Sequence, residues 1–216
     1  FVAEIRELAN ETGERQGREI PILARVSYLR DDNLKVGMDV ETWIRNGSID
    51  MVVGQVREHL LDPCVVDARW MANAANAAGA AAYLRPPNLV YDERTSTPHI
   101  EMYRALGQTL HWQGFTGMYL GYLPWPLSTT EYQVLREVAY PEIVARQDKL
   151  YSLPPRESAG PYSSPPTRQL PIHLEEGKTA TVRVLVADDL SDAKRDGEMR
   201  EPVLTIRFAD LCIEDH

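Results

Sequence analysis

Four short apolar runs leave few folds open to this chain. They are Ile20-Pro21-Ile22-Leu23-Ala24-Arg25-Val26, Ile49-Asp50-Met51-Val52-Val53-Gly54-Gln55, Ala80-Ala81-Ala82-Tyr83-Leu84-Arg85 and the run from Gly114 to Trp125. Each is too short for a buried helix and is bounded by turn residues, so each reads as a strand. They start near residues 20, 49, 80 and 115. A recurrence of about thirty to thirty-five residues is the length of a strand–helix–strand unit, whose crossovers are right-handed. The predicted class is therefore α/β with parallel strands. Four units make half of a (β/α)8 barrel or a small open sheet. The apolar stripe Phe1, Ile5 and Leu8, on a helix with no capping residue ahead of it, favours the last four strands of a barrel. On that reading the chain is an internal piece of a longer protein. Its compartment is left open, an extracytoplasmic one included.

Helix signals lie between the strands. The opening helix is expected to stop near Gly13. Asp39 is a good N-cap for a helix through Trp43, with Gly47 just past its end. The alanine-rich stretch 65–78 favours a helix closed by Gly79. Thr97-Pro98 opens another that runs to about Gln113. Ser128-Thr129-Thr130-Glu131 has the capping-box pattern, and Pro141 is expected to split the helix it starts. Residues 27–32 read as a polar loop. From Tyr151 to about Gln169, prolines alternate with serine and glycine as in an extended linker. Beyond it, Thr179–Val186 and Val203–Phe208 alternate polar and apolar residues, as antiparallel strands do. The expected organisation is thus a half barrel over 1–150, a linker over 151–169, and a partial all-β, sandwich-like domain over 170–216.

The net charge of −9 opposes broad binding to nucleic acid or to an anionic membrane. No apolar run is long enough to span a bilayer as a helix. Cys64 and Cys212 read as free thiols, and the five histidines show no metal-ligand spacing. No nucleophile elbow, phosphate-binding loop or dinucleotide fingerprint is present. No cofactor or metal is therefore expected.

In a barrel the chemistry sits where strands end. Those ends supply Arg25 and Tyr28, Gln55, Tyr83 and Arg85, and Tyr122 and Trp125. Guanidinium, amide and aromatic groups suit a polyhydroxylated ligand, because rings pack on the apolar C–H face of a sugar and Arg or Gln bonds its hydroxyls. A glycosidase needs two carboxyl groups. None stands at a strand tip, and Glu58 and Asp62, in the loop after the second strand, are the best catalytic candidates. Asp50, at the start of its strand, is expected to be structural. Gly114 and Gly117 are expected to serve packing or turns.

Two stretches carry a family resemblance. The run from Trp43 through Gly47, Ile49-Asp50 and the apolar strand to Gln55 resembles glycosyl hydrolase-like TIM-barrel proteins of the family-10-like bacterial group. Gly114-Phe115-Thr116-Gly117-Met118-Tyr119-Leu120 resembles their final strand, which continues as Phe-Asn where this chain has Gly121-Tyr122. The resemblance implies a (β/α)8 barrel, action on carbohydrates, and an acid residue outside this chain. Three readings compete: a glycoside hydrolase, a non-catalytic carbohydrate-binding protein on the same scaffold, and a metal-dependent isomerase or lyase. The third calls for His, Asp or Glu at strand ends, which these strands lack.

Overall fold

A computed structural model of the chain describes residues 1–56, 68–85, 99–121, 126–151, 169, 172–197 and 201–206. The predicted strands are present as β1 (Leu23–Ser27), β2 (Met51–Gln55), β3 (Ala81–Arg85) and the short β4 (Gly117–Met118). They form one four-stranded parallel sheet in the order β1-β2-β3-β4. A sequential order is one that an open sheet shares with an arc of a barrel.

The helices are α1 (Val2–Gln16), α2 (Arg30–Lys35), α3 (Val40–Arg45), α4 (Arg69–Ala78), α5 (Ile100–Trp112), α6 (Thr129–Glu137), α7 (Pro141–Val144) and α8 (Leu190–Arg195). The predicted caps at Asp39 and Ser128 are in place, whereas α5 has His99 at its N-cap and the predicted Thr97-Pro98 start lies outside the described residues. The Asp39 side chain accepts from the Thr42 N–H at 3.2 Å. Ser128 and Glu131 form the reciprocal capping box, and Pro141 opens α7.

Strand register explains the core. Parallel partners point to the same face, so Val26, Gly54, Leu84 and Met118 share one face, as do Ala24, Val52 and Ala82. That face packs on α4 and α5 through Met71, Ala72, Ala75, Leu106 and Leu110, all buried in one cluster. Burying a side chain such as Leu84 is worth about 1.5–3 kcal/mol. Helices α6 and α7 pack on the outside of α5. There Arg104 forms a two-pronged ion pair with Glu137, at 2.6 and 3.2 Å.

Several expectations are corrected. Helix α1 passes through Gly13 and ends at Gly17, which takes the left-handed conformation at φ 62°. Gly13 is needed inside the helix because a Cβ there would lie 2.6 Å from the Arg18 carbonyl oxygen. The helix packs inward through Val2, and the Phe1/Ile5/Leu8 stripe is left outside, with Phe1 88% and Leu8 60% exposed. The predicted polar loop after β1 contains α2. Its Asn33 side chain is buried and clamps the end of β1, accepting from the Ser27 N–H at 3.0 Å and donating to the Ser27 carbonyl at 2.8 Å.

The largest correction concerns the fold class. The sandwich-like domain expected over 170–216 is not found among the described residues. Residues 178–187 and 201–206 carry no strand, and α8 lies between them, capped by Asp189. Val182, Val184 and Val186 keep the period of a strand, but all three are exposed. Alternation stabilises a strand only when a paired sheet gives its apolar side something to bury. This segment is instead tied to the α/β layer. Asp188 pairs with Lys149 at 2.7 Å and accepts from the Tyr151 hydroxyl at 3.0 Å. Gln108 donates to the Ala187 carbonyl at 3.3 Å. The described residues therefore form an α/β fold around a four-stranded parallel sheet that is compatible with an arc of a barrel, with no β-sandwich after it.

Candidate functional site

The second face of the sheet carries the other half of each strand's residues. The register places Arg25, Val53, Tyr83 and Gly117 in one row across it, and Ser27, Gln55 and Arg85 in the next row toward the C-terminal ends. The Tyr119 N–H donates to the Leu84 carbonyl at 2.8 Å, which continues β4 and brings Tyr119 beside Arg85. Neighbouring strands are about 4.8 Å apart and residues two apart rise about 6.6 Å. Gln55 is thus about 5 Å from Arg85 and about 8 Å from Arg25, Cα to Cα.

Four of the residues predicted from strand ends, Arg25, Gln55, Tyr83 and Arg85, are therefore brought together on one face. Arg25 is exposed and makes no hydrogen bond or ion pair among the described residues. Gln55 is half-buried, and its side-chain amide is likewise without a hydrogen bond among the described residues.

Two glycines of the final predicted strand shape this face. A Cβ on Gly117 would touch the Tyr83 ring at 3.7 Å, so the ring lies against the bare backbone of β4. A Cβ on Gly121 would come within 2.9 Å of both Arg85 Nε and the Tyr119 ring. Only the missing side chain lets the backbone pass so close to them.

Tyr28 is the exception among the binding candidates. It follows Ser27 by one position, so the period of two turns it to the helix-packed face. Its side chain is 2% exposed within the core, and the Trp70 indole donates to its carbonyl at 2.9 Å. A ring buried there offers no platform to a ligand. Glu58, Asp62, Tyr122 and Trp125 lie outside the described residues. Tyr119, 36% exposed, was missed. Alternation from Gly117 places it on this face, and that period is the sequence signal for it.

Among the described residues, the carboxyl groups with lowered pKa belong to the scaffold. Burial pushes Asp50 up, but the Ile22 N–H and Arg6 outweigh it and hold the carboxyl below its usual value. Asp50 accepts from the Ile22 N–H at 2.6 Å and pairs with Arg6, tying α1, β1 and β2 at the end of the sheet away from Gln55 and Arg85. The Ser128 hydroxyl lowers Glu131 within its capping box. Hydrogen bonds from Thr42 lower Asp39 at the start of α3.

A shallow depression lined by Arg30, Asn33, Met38, Asp39, Glu41 and Trp70 has a cavity volume of only about 10 Å³. Small-molecule sites occupy about 300–1,000 Å³, so the sheet face is the stronger candidate. No group of three metal-ligating side chains is found among the described residues. No described helix is long and apolar enough to cross a membrane. No protein-family model and no curated protein matches the chain.

Proposed function

We propose that this sheet face binds a carbohydrate, in a protein whose chemistry is glycoside hydrolysis. One observation carries the reading: Arg25, Gln55, Tyr83 and Arg85, from three different strands, share a single face. Tyr83 and Tyr119 offer rings for the apolar side of a sugar, and the amide and guanidinium groups suit its hydroxyls. The family resemblance supplies the reaction class. Hydrolysis needs a carboxylic acid and a second carboxylate. Glu58 and Asp62, three and seven positions after Gln55 in the sequence, are the residues proposed for those roles.

A second reading, a carbohydrate-binding protein without turnover, is favoured by the strand positions of this face, which hold no Asp or Glu. A glycan panel together with chromogenic glycosides separates the two. The hydrolase reading expects turnover that Glu58→Gln or Asp62→Asn lowers about a hundredfold or more. Binding without turnover, unchanged by either substitution, removes the catalytic assignment and leaves the binding protein. If no glycan binds, both readings fail.

A further inference from the structure

The charge of this face is at odds with the charge of the chain. The whole sequence carries −9, yet the strand positions of the face hold two arginines and no carboxylate. Arg25 matters most. Its partner in register is Val53, which is 0% exposed, so the guanidinium stands beside an apolar position on its own face. Its exposure and lack of partners among the described residues set it apart from Arg6, Arg30 and Arg104, each of which is paired to a carboxylate. Among the described residues β1 is an edge strand, so the Arg25 guanidinium stands at the open side of this face, where a ligand can reach it.

Resting on the carbohydrate reading, we infer that the ligand is an acidic glycan, and that Arg25 binds the carboxylate of a uronic acid residue. The planar guanidinium offers two parallel N–H donors that match the two carboxylate oxygens. Gln55, on the next strand and one row further on, is placed to bond a ring hydroxyl of the same or the adjoining sugar. Tyr83 stands on the far side of Val53, in the same row as Arg25, and gives the neighbouring ring an apolar seat. A carboxylate adds a charge-assisted, two-pronged contact to Arg25 that a neutral sugar cannot make, which is the source of the discrimination. A sulfate ester presents the same anionic oxygens to the same fork.

The test uses the full chain and three polymers of similar length: a polyuronate, a sulfated polysaccharide and a neutral glucan. The polyuronate is expected to bind at least tenfold more tightly than the glucan, with affinity falling as salt rises. Arg25→Gln should abolish that preference, and Arg25→Lys, which keeps the charge but not the fork, should restore only part of it. Because Arg25 is exposed, both variants are expected to keep the wild-type melting profile. Equal Arg25-dependent binding of the sulfated polymer supports the inference in its anionic form. Equal binding of the neutral glucan, or a preference unchanged in Arg25→Gln, overturns the inference and leaves the carbohydrate reading standing. Failure of all three polymers to bind overturns both.

Discussion

Replacing Gly54 by alanine tests how tightly the sheet is seated on α4. Gly54 lies in β2 on the helix-packed face, and a Cβ there would meet Leu84 Cδ1 at 3.0 Å and Met71 Sδ and Cε at 3.1 and 3.3 Å. These are side-chain atoms that can yield, but Leu84 and Met71 are themselves 0% exposed and have little room to move. Overpacking a core by a methyl group costs about 1–3 kcal/mol. Alanine also recovers about 0.4–1 kcal/mol by restricting the unfolded chain. The net expectation is a loss of about 1 kcal/mol. Gly117→Ala is the matched control, because its Cβ would meet the Tyr83 ring at an ordinary 3.7 Å. There the entropic gain stands alone, and the expectation is a gain of about 0.5 kcal/mol. Urea unfolding followed by circular dichroism resolves the difference. With an m-value of about 2 kcal/mol/M, the two midpoints should separate by about 0.7 M. A Gly54→Ala midpoint at or above that of Gly117→Ala would refute the packing of β2 on α4.

Three further perturbations bear on the scaffold and the site. Gly121→Ala should push Arg85 and Tyr119 aside, since its Cβ would lie 2.9 Å from each; glycan affinity should fall severalfold in a binding titration while the melting temperature moves little. Asp50→Asn should cost about 1 kcal/mol, discounted because the Asp50 side chain is 44% exposed. Because the folded Asp50 carboxyl is held below the usual carboxylate range, its contribution is present above the unfolded value and is lost as pH falls through the folded one. Acid titration of stability should therefore be flatter in Asp50→Asn below about pH 5, and identical acid limbs would contradict the lock. Asp188→Ala leaves the buried Lys149 ammonium without its carboxylate and should cost about 3 kcal/mol, seen as faster proteolysis of the segment around α8.

What could be read from the sequence follows from where the stabilising contacts are. The strands β1 to β3 and the caps at Asp39 and Ser128 are local patterns, and they appear where apolar period and capping chemistry place them. Helix α2 was not legible. Leu29 gives it no side-chain cap, and its anchor is the contact of Asn33 with the end of β1, which no local pattern announces. The alternation at Val182, Val184 and Val186 misled for the opposite reason, because a local period is not a partner strand. In the site, the face shared by Arg25, Gln55, Tyr83 and Arg85 was implied by strand periodicity. The close packing at Gly117 was expected, whereas the role of Gly121 depends on the approach to Arg85 and Tyr119 and had no sequence signal. Tyr28 shows how a one-residue difference at the end of a strand moves a ring from a ligand face to the core.

The central claim is that the sheet face bearing Arg25, Gln55, Tyr83 and Arg85 takes up a carbohydrate. Backbone amide spectra of the labelled 24.4 kDa chain, recorded while a glycan from the panel is added, test it most directly. The expected result is a saturable set of shifts concentrated at the ends of β1, β2 and β3 and around Tyr119. Shifts confined to the α4–α5 layer, or none with any glycan, would contradict it.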